Sequence, residues 1–498
     1  MPQLLPDISD KLDHILAGLP MLLPEMVLAI TFLGSIGTGL FLDKRWKHGT
    51  FVVTAAGILL AGGYSLLQLS MPTAVDLLFG MLDADAFGRY TRVLTAAVCF
   101  LFVLFVQANP GFSTHPKKTA DLYSILLAVH IGLNLMAMAT NWLMVFVAIE
   151  MVSIGSYLMV GYLAKDARQT EASMKYVLFG SVCAAVMLYG LSFLYGFTGN
   201  LDFTSVAHIQ GLTGTAPVLI AMALLLVFTG IGFKLSFVPF HFWTPDVYQG
   251  APTPVTAFLS TAPKIAGIAL LARVLYAWPV ESMAYQYLHT LILVSAVVTM
   301  LLGNLAALRQ TDVKRMMAYS SIGHTGFLMM AVLAYSAGDY AVLLFYLSIY
   351  ALMNMGVFML VDHVEVCTGA TDVREYHGLG KVMPVTFVGF VVLLVSLTGL
   401  PPTAGFVAKL LVFTSVFGNW QLTGNPGMII LLIVGALTTV ISLFYYFKVP
   451  LNAFLRKSEE SIDIRPTQSY LVLIATLTVL AVLLLGIFPD WLVGTFQK

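Results

Sequence analysis

Charge is what this sequence has least of. Of its 498 residues only 10% are Asp, Glu, Lys or Arg and 59% are hydrophobic, whereas a soluble domain is about a quarter charged. So little charge cannot cover a water-facing surface, and a soluble globular protein is excluded. Cysteine is nearly as scarce: Cys99, Cys183 and Cys367 are far apart and form no CxxC pair. That excludes an iron–sulfur cluster or a cysteine-ligated zinc held by this chain alone, so any redox chemistry belongs to a partner. The 10 histidines are scattered, and neither a metal site nor a cofactor-binding site is expected. A net charge of zero gives no support to nucleic-acid binding or to a basic membrane-surface role. The N-terminal MPQLLPDISDKLDHILAGLP has no basic segment leading into an apolar core and a small-residue cleavage site, so it does not read as a cleaved signal peptide.

Long apolar runs fill the chain instead. Runs able to cross about 30 Å of hydrocarbon fall at 21–42, 50–70, 90–108, 121–139, 141–163, 172–197, 217–245, 254–277, 286–308, 315–335, 339–361, 382–417, 427–449 and 468–489. This predicts an all-α polytopic membrane protein with 14 spans and both termini on one side. Basic residues in short loops stay cytoplasmic. Sixteen Lys and Arg lie in the connections after spans 1, 3, 5, 9, 11 and 13, and five (Lys11, Arg89, Arg92, Arg273, Lys498) lie on the other side. Both termini are therefore expected on the non-cytoplasmic side.

The other four basic residues, Lys175, Lys234, Lys264 and Lys409, fall inside predicted spans, and among the acids only Glu150 lies deep in one. A charge at the bilayer centre costs about 2.5–3.5 kcal/mol on insertion scales, and such residues mark functional sites by default. Glu25 is close enough to the start of span 1 to be an ordinary boundary residue. Lys175 follows Glu171 by four residues, a favourable helical pair, and lies about one turn from the cytoplasmic end, so it is either part of a relay or a snorkelling interfacial lysine. For the deeper groups the alternative to function is neutralisation by a fixed salt bridge.

Proline marks the second signal. Pro239 in span 7, and Pro401 with Pro402 in span 12, remove backbone hydrogen bonds where lipid cannot replace them. Each break lies near a lysine, Lys234 or Lys409, and the breaks are five spans apart. Two inverted five-helix repeats, spans 4–8 and 9–13, follow as an expectation. The corresponding domains are 1–120 (three N-terminal spans), 121–278, 279–452 and 453–498 (the last span). His324 in span 10 then sits near the place that Glu150 occupies in the first repeat, and imidazole titrates near neutrality, as a proton relay needs. His130 in span 4 reads better as a neutral histidine hydrogen-bonded between helices. His241, in the first break, is a candidate cytoplasmic gate or a cap on frayed backbone.

The strings VPFHFWTPDVYQGAPTPVTAFLSTAPKIAG, TNWLMVFVAIEMVSIGSYLMVGY, EASMKYVLFGS and GLPPTAGFVAKL resemble the N-subunit (subunit 2 type) family of proton-pumping NADH:quinone oxidoreductase, respiratory complex I. The likeness runs from about Glu25 to the last span. The wording WTPDVYQGAPTPV, with a lysine in span 8, is similar to N rather than to the WLPDAH of the M, L and Mrp D types, and the short stretch after span 14 is expected to leave no room for the long lateral helix of the L type. The resemblance implies a coupled pair of Glu150 and Lys234, with Lys175, the central Lys264 and Lys409 completing the relay. His324 joins them from the repeat argument. It also implies K- and M-type neighbours in a membrane arm, and NADH, flavin, iron–sulfur clusters and quinone in partner subunits. Family members shortened in animal mitochondria lack the first three spans, so a bacterial inner membrane is expected, with a thylakoid-type membrane as the alternative. At about 4 Å and an effective dielectric of 20, a Glu150–Lys234 pair would attract by about 4 kcal/mol, enough to control where a proton sits. An Mrp-type cation/proton antiporter subunit, and a scaffold whose charges are assembly salt bridges, are the other readings.

Overall fold

The computed structural model describes residues 12–13, 15–42, 46, 48–71, 76–113, 119–163, 167–334, 340–456 and 470–496. Lys11, Lys44, Arg45, Lys47, Lys117, Lys118, Lys165, Lys457, Arg465 and Lys498, all used to orient the chain, lie outside the described residues, as do both ends and the N-terminal stretch through Lys11.

Among the described residues, 13 helices are long and apolar enough to cross a membrane. Lipid offers backbone groups no partner, so an apolar run satisfies them internally as helix. In order the helices are α1 (Leu23–Gly37), α2 (Gly49–Gln68), α3 (Ala86–Ala108), α4 (Ala120–Met138), α5 (Trp142–Val160), α6 (Ala167–Thr198), α7 (Pro217–Leu235), the short α8 (Trp243–Gly250), α9 (Thr253–Tyr276), α10 (Met283–Ala307), α11 (Val313–Ala334), α12 (Ala341–Thr368), α13 (Pro384–Thr398), α14 (Ala404–Thr423), α15 (Pro426–Tyr446) and α16 (Tyr470–Ile487). The predicted run 382–417, expected to be broken at Pro401 and Pro402, is two helices, α13 and α14, separated by residues 399–403. A two-stranded antiparallel ribbon, β1 (Asp76–Leu77) with β2 (Leu82–Asp83), lies between α2 and α3.

Burial sorts these helices. The apolar window of α9 is 100% buried inside the protein, those of α11 and α12 94% and 89%, but those of α6, α15 and α16 only 28%. Helix α9 is the hub, packed against α3, α4, α7, α11 and α12. It therefore places Lys264 at the centre of the molecule, one residue after Pro263, which stands inside the helix and cannot donate a backbone hydrogen bond.

The N-terminal helices bury three charges. Arg89 and Arg92, in the first two turns of α3, and Glu25, in the first turn of α1, are all buried inside the protein. Arg92 pairs with Glu25 at 3.2 Å and donates to Met21 O and Gln68 Oε1 at 3.0 Å each, while Asn134 Nδ2 donates to Glu25 Oε1 at 3.0 Å. Arg89 donates to Ala84 O, Gln68 O and Met71 O. A buried guanidinium is tolerated where most of its donors are met: the Nη groups of Arg92 are met by Met21 O, Glu25 and Gln68, while its Nε has no partner among the described residues.

Candidate functional site

Helix α7 stops at Leu235 because Ser236 takes the left-handed conformation at φ 62°, and Pro239 follows before α8 restarts the chain at Trp243. The carbonyls freed by the stop are taken up by other helices. Thr325 Oγ1 donates to Leu235 O at 3.1 Å, Trp243 Nε1 to Phe233 O at 3.0 Å, and the Val238 amide donates to Thr299 Oγ1 at 3.0 Å. Lys234, in the last turn of α7, is 3% exposed and donates to Ser153 Oγ on α5 at 3.3 Å. Glu150 lies one turn before Ser153 on the same helix and is half-buried. Glu150 and Lys234 are electrostatic neighbours, with no ion pair within 4 Å between them. The hydrogen-bond partner of Lys234 on α5 is the serine, not the glutamate.

Lys264 is 1% exposed, and its three N–H donors are matched by three neutral acceptors on α11: Ser321 O at 2.9 Å, Ser321 Oγ at 2.7 Å and Thr325 Oγ1 at 2.8 Å. Tyr350 OH donates to Ser260 O at 2.9 Å, so at the 2.8 Å Ser321–Tyr350 contact it is Ser321 Oγ that donates. The result is a directed chain from Lys264 through Ser321 and Tyr350. The Thr325 hydroxyl is within donating distance of both Leu235 O and Ser321 O, and its one proton links Lys264 to the broken end of α7.

His324 lies between the two Lys264 contacts on α11. Its Nδ1 is 3.0 Å from Tyr346 OH and its Nε2 3.3 Å from Tyr446 OH, and it is an electrostatic neighbour of both Lys409 and Lys264. Beyond it, Lys409 on α14 is 4% exposed, sits 4.7 Å above the Phe327 ring, and donates to Thr398 O at 2.8 Å. Thr398 is the last residue of α13, which Gly399 ends at φ 88°, and Pro401 and Pro402 follow. The structure thus strings Glu150, Lys234, Lys264, His324 and Lys409 across the interior, from α5 to α14.

Lys175 does not join them. Its side chain is 38% exposed and pairs with Glu171 and Asp246, each at 2.7 Å, and Asp246 also holds Arg315 at 2.6 Å. Glu171, Lys175 and Asp246 line a cleft of about 270 Å³ with Arg168 and Gln249. Burial alone would raise the Asp246 carboxyl, but hydrogen bonds from Lys175 and Arg315 hold it below its ordinary value. His241, in the first break, is 5% exposed and its Nδ1 has no hydrogen-bond partner. His130 is fully buried with neither ring nitrogen partnered, so the expected interhelical hydrogen bond is absent. Among the described residues, no group of three or more His, Cys, Asp or Glu is arranged to hold a metal ion.

Residues 139–442, more than half of the chain and all of this string, match the family described as NADH:quinone oxidoreductase/Mrp antiporter, TM. The chain belongs to that family. It is 36% identical over 461 residues to NADH-quinone oxidoreductase subunit N 2 of Chloroherpeton thalassium, covering 91% of this chain and 89% of the relative. It is similar to a chain of respiratory complex I from Thermus thermophilus, solved with bound aureothin, at 29% identity and a TM-score of 0.78 over 95% of this chain and 98% of that one. A chain of the Mrp complex from Dietzia sp. DQ12-45-1b shares the fold, with a TM-score of 0.80 at 19% identity over 96% of each chain.

Within this NADH:quinone oxidoreductase/Mrp antiporter member, sequence reasoning missed the neutral partners Ser153, Ser321, Thr325 and Tyr350. Lone hydroxyls in apolar helices do not stand out by hydropathy. It also missed a buried acid. Span 11 was expected to end at residue 361, but α12 continues to Thr368 and carries Asp362, 3% exposed, inside the protein. Its neighbour Lys314, at the start of α11, is 9% exposed and pairs with Glu365 at 3.3 Å.

Proposed function

We propose that this chain is a proton-translocating membrane-arm subunit of a complex I-type quinone oxidoreductase, moving H⁺ through Glu150, Lys234, Lys264, His324 and Lys409 while quinone is reduced in other subunits. The observation that carries this reading is how the three deep lysines are held. Lys234, Lys264 and Lys409 each meet neutral oxygens, whereas the buried Arg92 of the N-terminal helices has the Glu25 carboxylate against it. A lysine locked in a salt bridge keeps its proton. One solvated by hydroxyls and carbonyls releases it without breaking an ion pair, and its preference follows the next charge along the row. The scaffold reading, which needs assembly salt bridges at these lysines, is therefore disfavoured.

In this scheme an approach of Glu150 to Lys234 favours a proton on that lysine, its withdrawal favours release, and Lys264, His324 and Lys409 carry the disturbance onward. The broken ends of α7 and α13 supply fixed negative dipole ends. Lys175, at the rim with Asp246 and Arg315, acts as an interfacial clamp, and His241 as a gate beside the first break. The two repeats, 121–278 and 279–452, each contribute one break, with 1–120 and 453–498 as the flanking segments. NADH (or NAD(P)H or ferredoxin) oxidation, flavin, iron–sulfur clusters and quinone belong to partner subunits, with K- and M-type chains as neighbours. Both termini lie on the non-cytoplasmic side of a bacterial inner membrane.

The test is proton-pumping stoichiometry of purified complexes in proteoliposomes. Lys234→Ala and Glu150→Ala complexes are expected to assemble and pump fewer protons per electron. Assembly with full stoichiometry would overturn the relay assignment. Na⁺ flux in vesicles holding only this chain and antiporter partners would instead assign it to the Mrp class.

A further inference from the structure

A second buried polar cluster lies two to three turns from Lys264, and the relay above makes no use of it. Asp362 on α12 is 3% exposed. Both of its oxygens accept from one neutral donor, Asn109 Nδ2 at the end of α3, at 2.8 and 2.9 Å, and among the described residues no cation lies within ion-pair distance of it. Beside it, Lys314 pairs with Glu365 at 3.3 Å. Thr253 Oγ1 accepts from Lys314 at 3.4 Å and donates to Glu365 Oε2 at 3.2 Å. The charged and polar groups that face Asp362 are thus Asn109 from α3, Thr253 from α9, Lys314 from α11 and Glu365 from α12 itself. The charge bias of the loops assigns these four helix ends to the cytoplasmic face.

The cluster is aligned with Lys264 on two helices. Thr253 and Lys264 are eleven residues apart on α9, and Lys314 and Ser321 seven apart on α11. These are close to whole numbers of turns, so each pair shares one face of its helix, at separations of about 16 and 10 Å. The interval holds two buried polar atoms that no protein group satisfies, Tyr248 OH and Asn354 Oδ1. Tyr248 packs its ring against Phe358, 6.3 Å away at 75°, one turn before Asp362, and is an electrostatic neighbour of Tyr350, the far member of the Lys264 chain. On the outer side, the buried Tyr376 hydroxyl is also unsatisfied and faces Glu365. Buried polar atoms without protein partners are where ordered water sits. The unsatisfied groups therefore flank Asp362 on its cytoplasmic side and on its Lys264 side.

We infer that Asp362 is the proton-accepting carboxyl of an intake branch that feeds Lys264 from the cytoplasmic face. A carboxyl held by one neutral amide changes protonation without breaking an ion pair, while the neighbouring Lys314–Glu365 pair fixes the local charge. The step is a proton transfer: the carboxylic acid of Asp362 gives its proton through water at Tyr248 and Asn354 to Tyr350 and Ser321, and the neutral amine of Lys264 becomes an ammonium as the carboxylate is restored. This rests on the relay reading, and the experiment separates the two.

Whole complexes carrying Asp362→Asn, Asp362→Glu, Tyr248→Phe or Lys264→Ala are reconstituted in proteoliposomes, and protons pumped per electron are followed against pH. Asp362→Asn is expected to lose the same share of pumping as Lys264→Ala and to remove a pH-dependent step. Asp362→Glu restores the share with that step displaced, a result that a merely structural role of the residue would not give. Tyr248→Phe lowers the pumping rate severalfold. If Asp362→Asn fails to assemble, Tyr248→Phe decides, since the unsatisfied hydroxyl it removes props up no other group. Full stoichiometry in Asp362→Asn, or an unchanged rate in Tyr248→Phe, alongside a deficient Lys264→Ala overturns the intake assignment and leaves the relay standing. Full stoichiometry in Lys264→Ala overturns the relay itself.

Discussion

The two helix breaks solve one problem in two ways. In each, a residue in the left-handed conformation ends the first half-helix, Ser236 after Leu235 and Gly399 after Thr398, and a proline follows four residues after the last helical position. Each stop leaves a terminal carbonyl at the negative end of a helix dipole inside the protein. At the second break a lysine takes that carbonyl directly, Lys409 to Thr398 O at 2.8 Å. At the first a hydroxyl stands between, with Lys264 donating to Thr325 and Thr325 to Leu235 O. The difference teaches where charge can move. Lys409 is bound to its break, so a change in its proton acts on α13 at once. Lys264 feels the first break only through a hydroxyl whose single proton has two carbonyls to choose between.

The largest effect is expected from removing the direct contact. Lys409→Met should abolish this subunit's share of proton pumping, read as protons per electron in proteoliposomes. Assembly should survive, because deleting a buried cation also removes its desolvation cost, and well-packed apolar replacements of buried charges are often neutral or stabilising. A thermal-unfolding midpoint far below the parent's would show instead that Lys409 is there to cap α13.

Thr325→Val tests the indirect contact. Valine keeps the volume and removes the hydroxyl, leaving Leu235 O and one Lys264 N–H unsatisfied. A buried group stripped of its partner costs about 1–3 kcal/mol, so both the unfolding midpoint and the pumping rate should fall. Thr325→Ser, which returns the hydroxyl, should recover most of each. If Thr325→Val pumped at the parent rate, the hydroxyl would not be the link between Lys264 and the first break.

Ser153→Ala is smaller in effect because the 3.3 Å contact to Lys234 is long and a net hydrogen bond contributes about 0.5–1.5 kcal/mol. With the serine gone, Lys234 has Glu150 as its nearest charged neighbour, and the pH profile of pumping should shift while the unfolding midpoint barely moves. An unchanged profile would mean that Ser153 does not mediate between them.

These contrasts also show what could be read beforehand. Lys234, Lys264 and Lys409 were legible because a charge in an apolar run stands out against insertion cost, and both breaks were legible because proline cannot continue a helix. The acceptors were not, since Ser153, Ser321 and Thr325 look like any hydroxyl in an apolar helix until packing turns them toward a lysine. Burial was the other weakness. Glu25 and Arg92 sit where apolar runs begin and read as boundary residues, and only packing shows that they find one another across α1 and α3. Asp362 lies one residue past the apparent end of span 11, and only the continuation of α12 to Thr368 puts it inside the protein.

Lys175 gives the smallest expected effect and marks the boundary of the comparison. Its exposed partner Glu171 is a surface i,i+4 pair, worth about 0.3–0.5 kcal/mol, and Asp246 still holds the lysine when that partner is neutralised. Glu171→Gln should therefore leave both the unfolding midpoint and the protons per electron at parent values. The clamp that remains has its own pH signature. Because Lys175 and Arg315 hold the Asp246 carboxyl below its ordinary value, the stability it contributes is present above the usual carboxylate range and is lost only as pH falls through the lowered value. Thermal unfolding of the purified complex followed into acid should show this late loss in the parent and in Glu171→Gln, and lack it in Asp246→Asn. A pumping defect in Glu171→Gln as deep as that of Lys409→Met would place Lys175 with the buried lysines after all, since an interfacial clamp with a second carboxylate in reserve has no way to produce one.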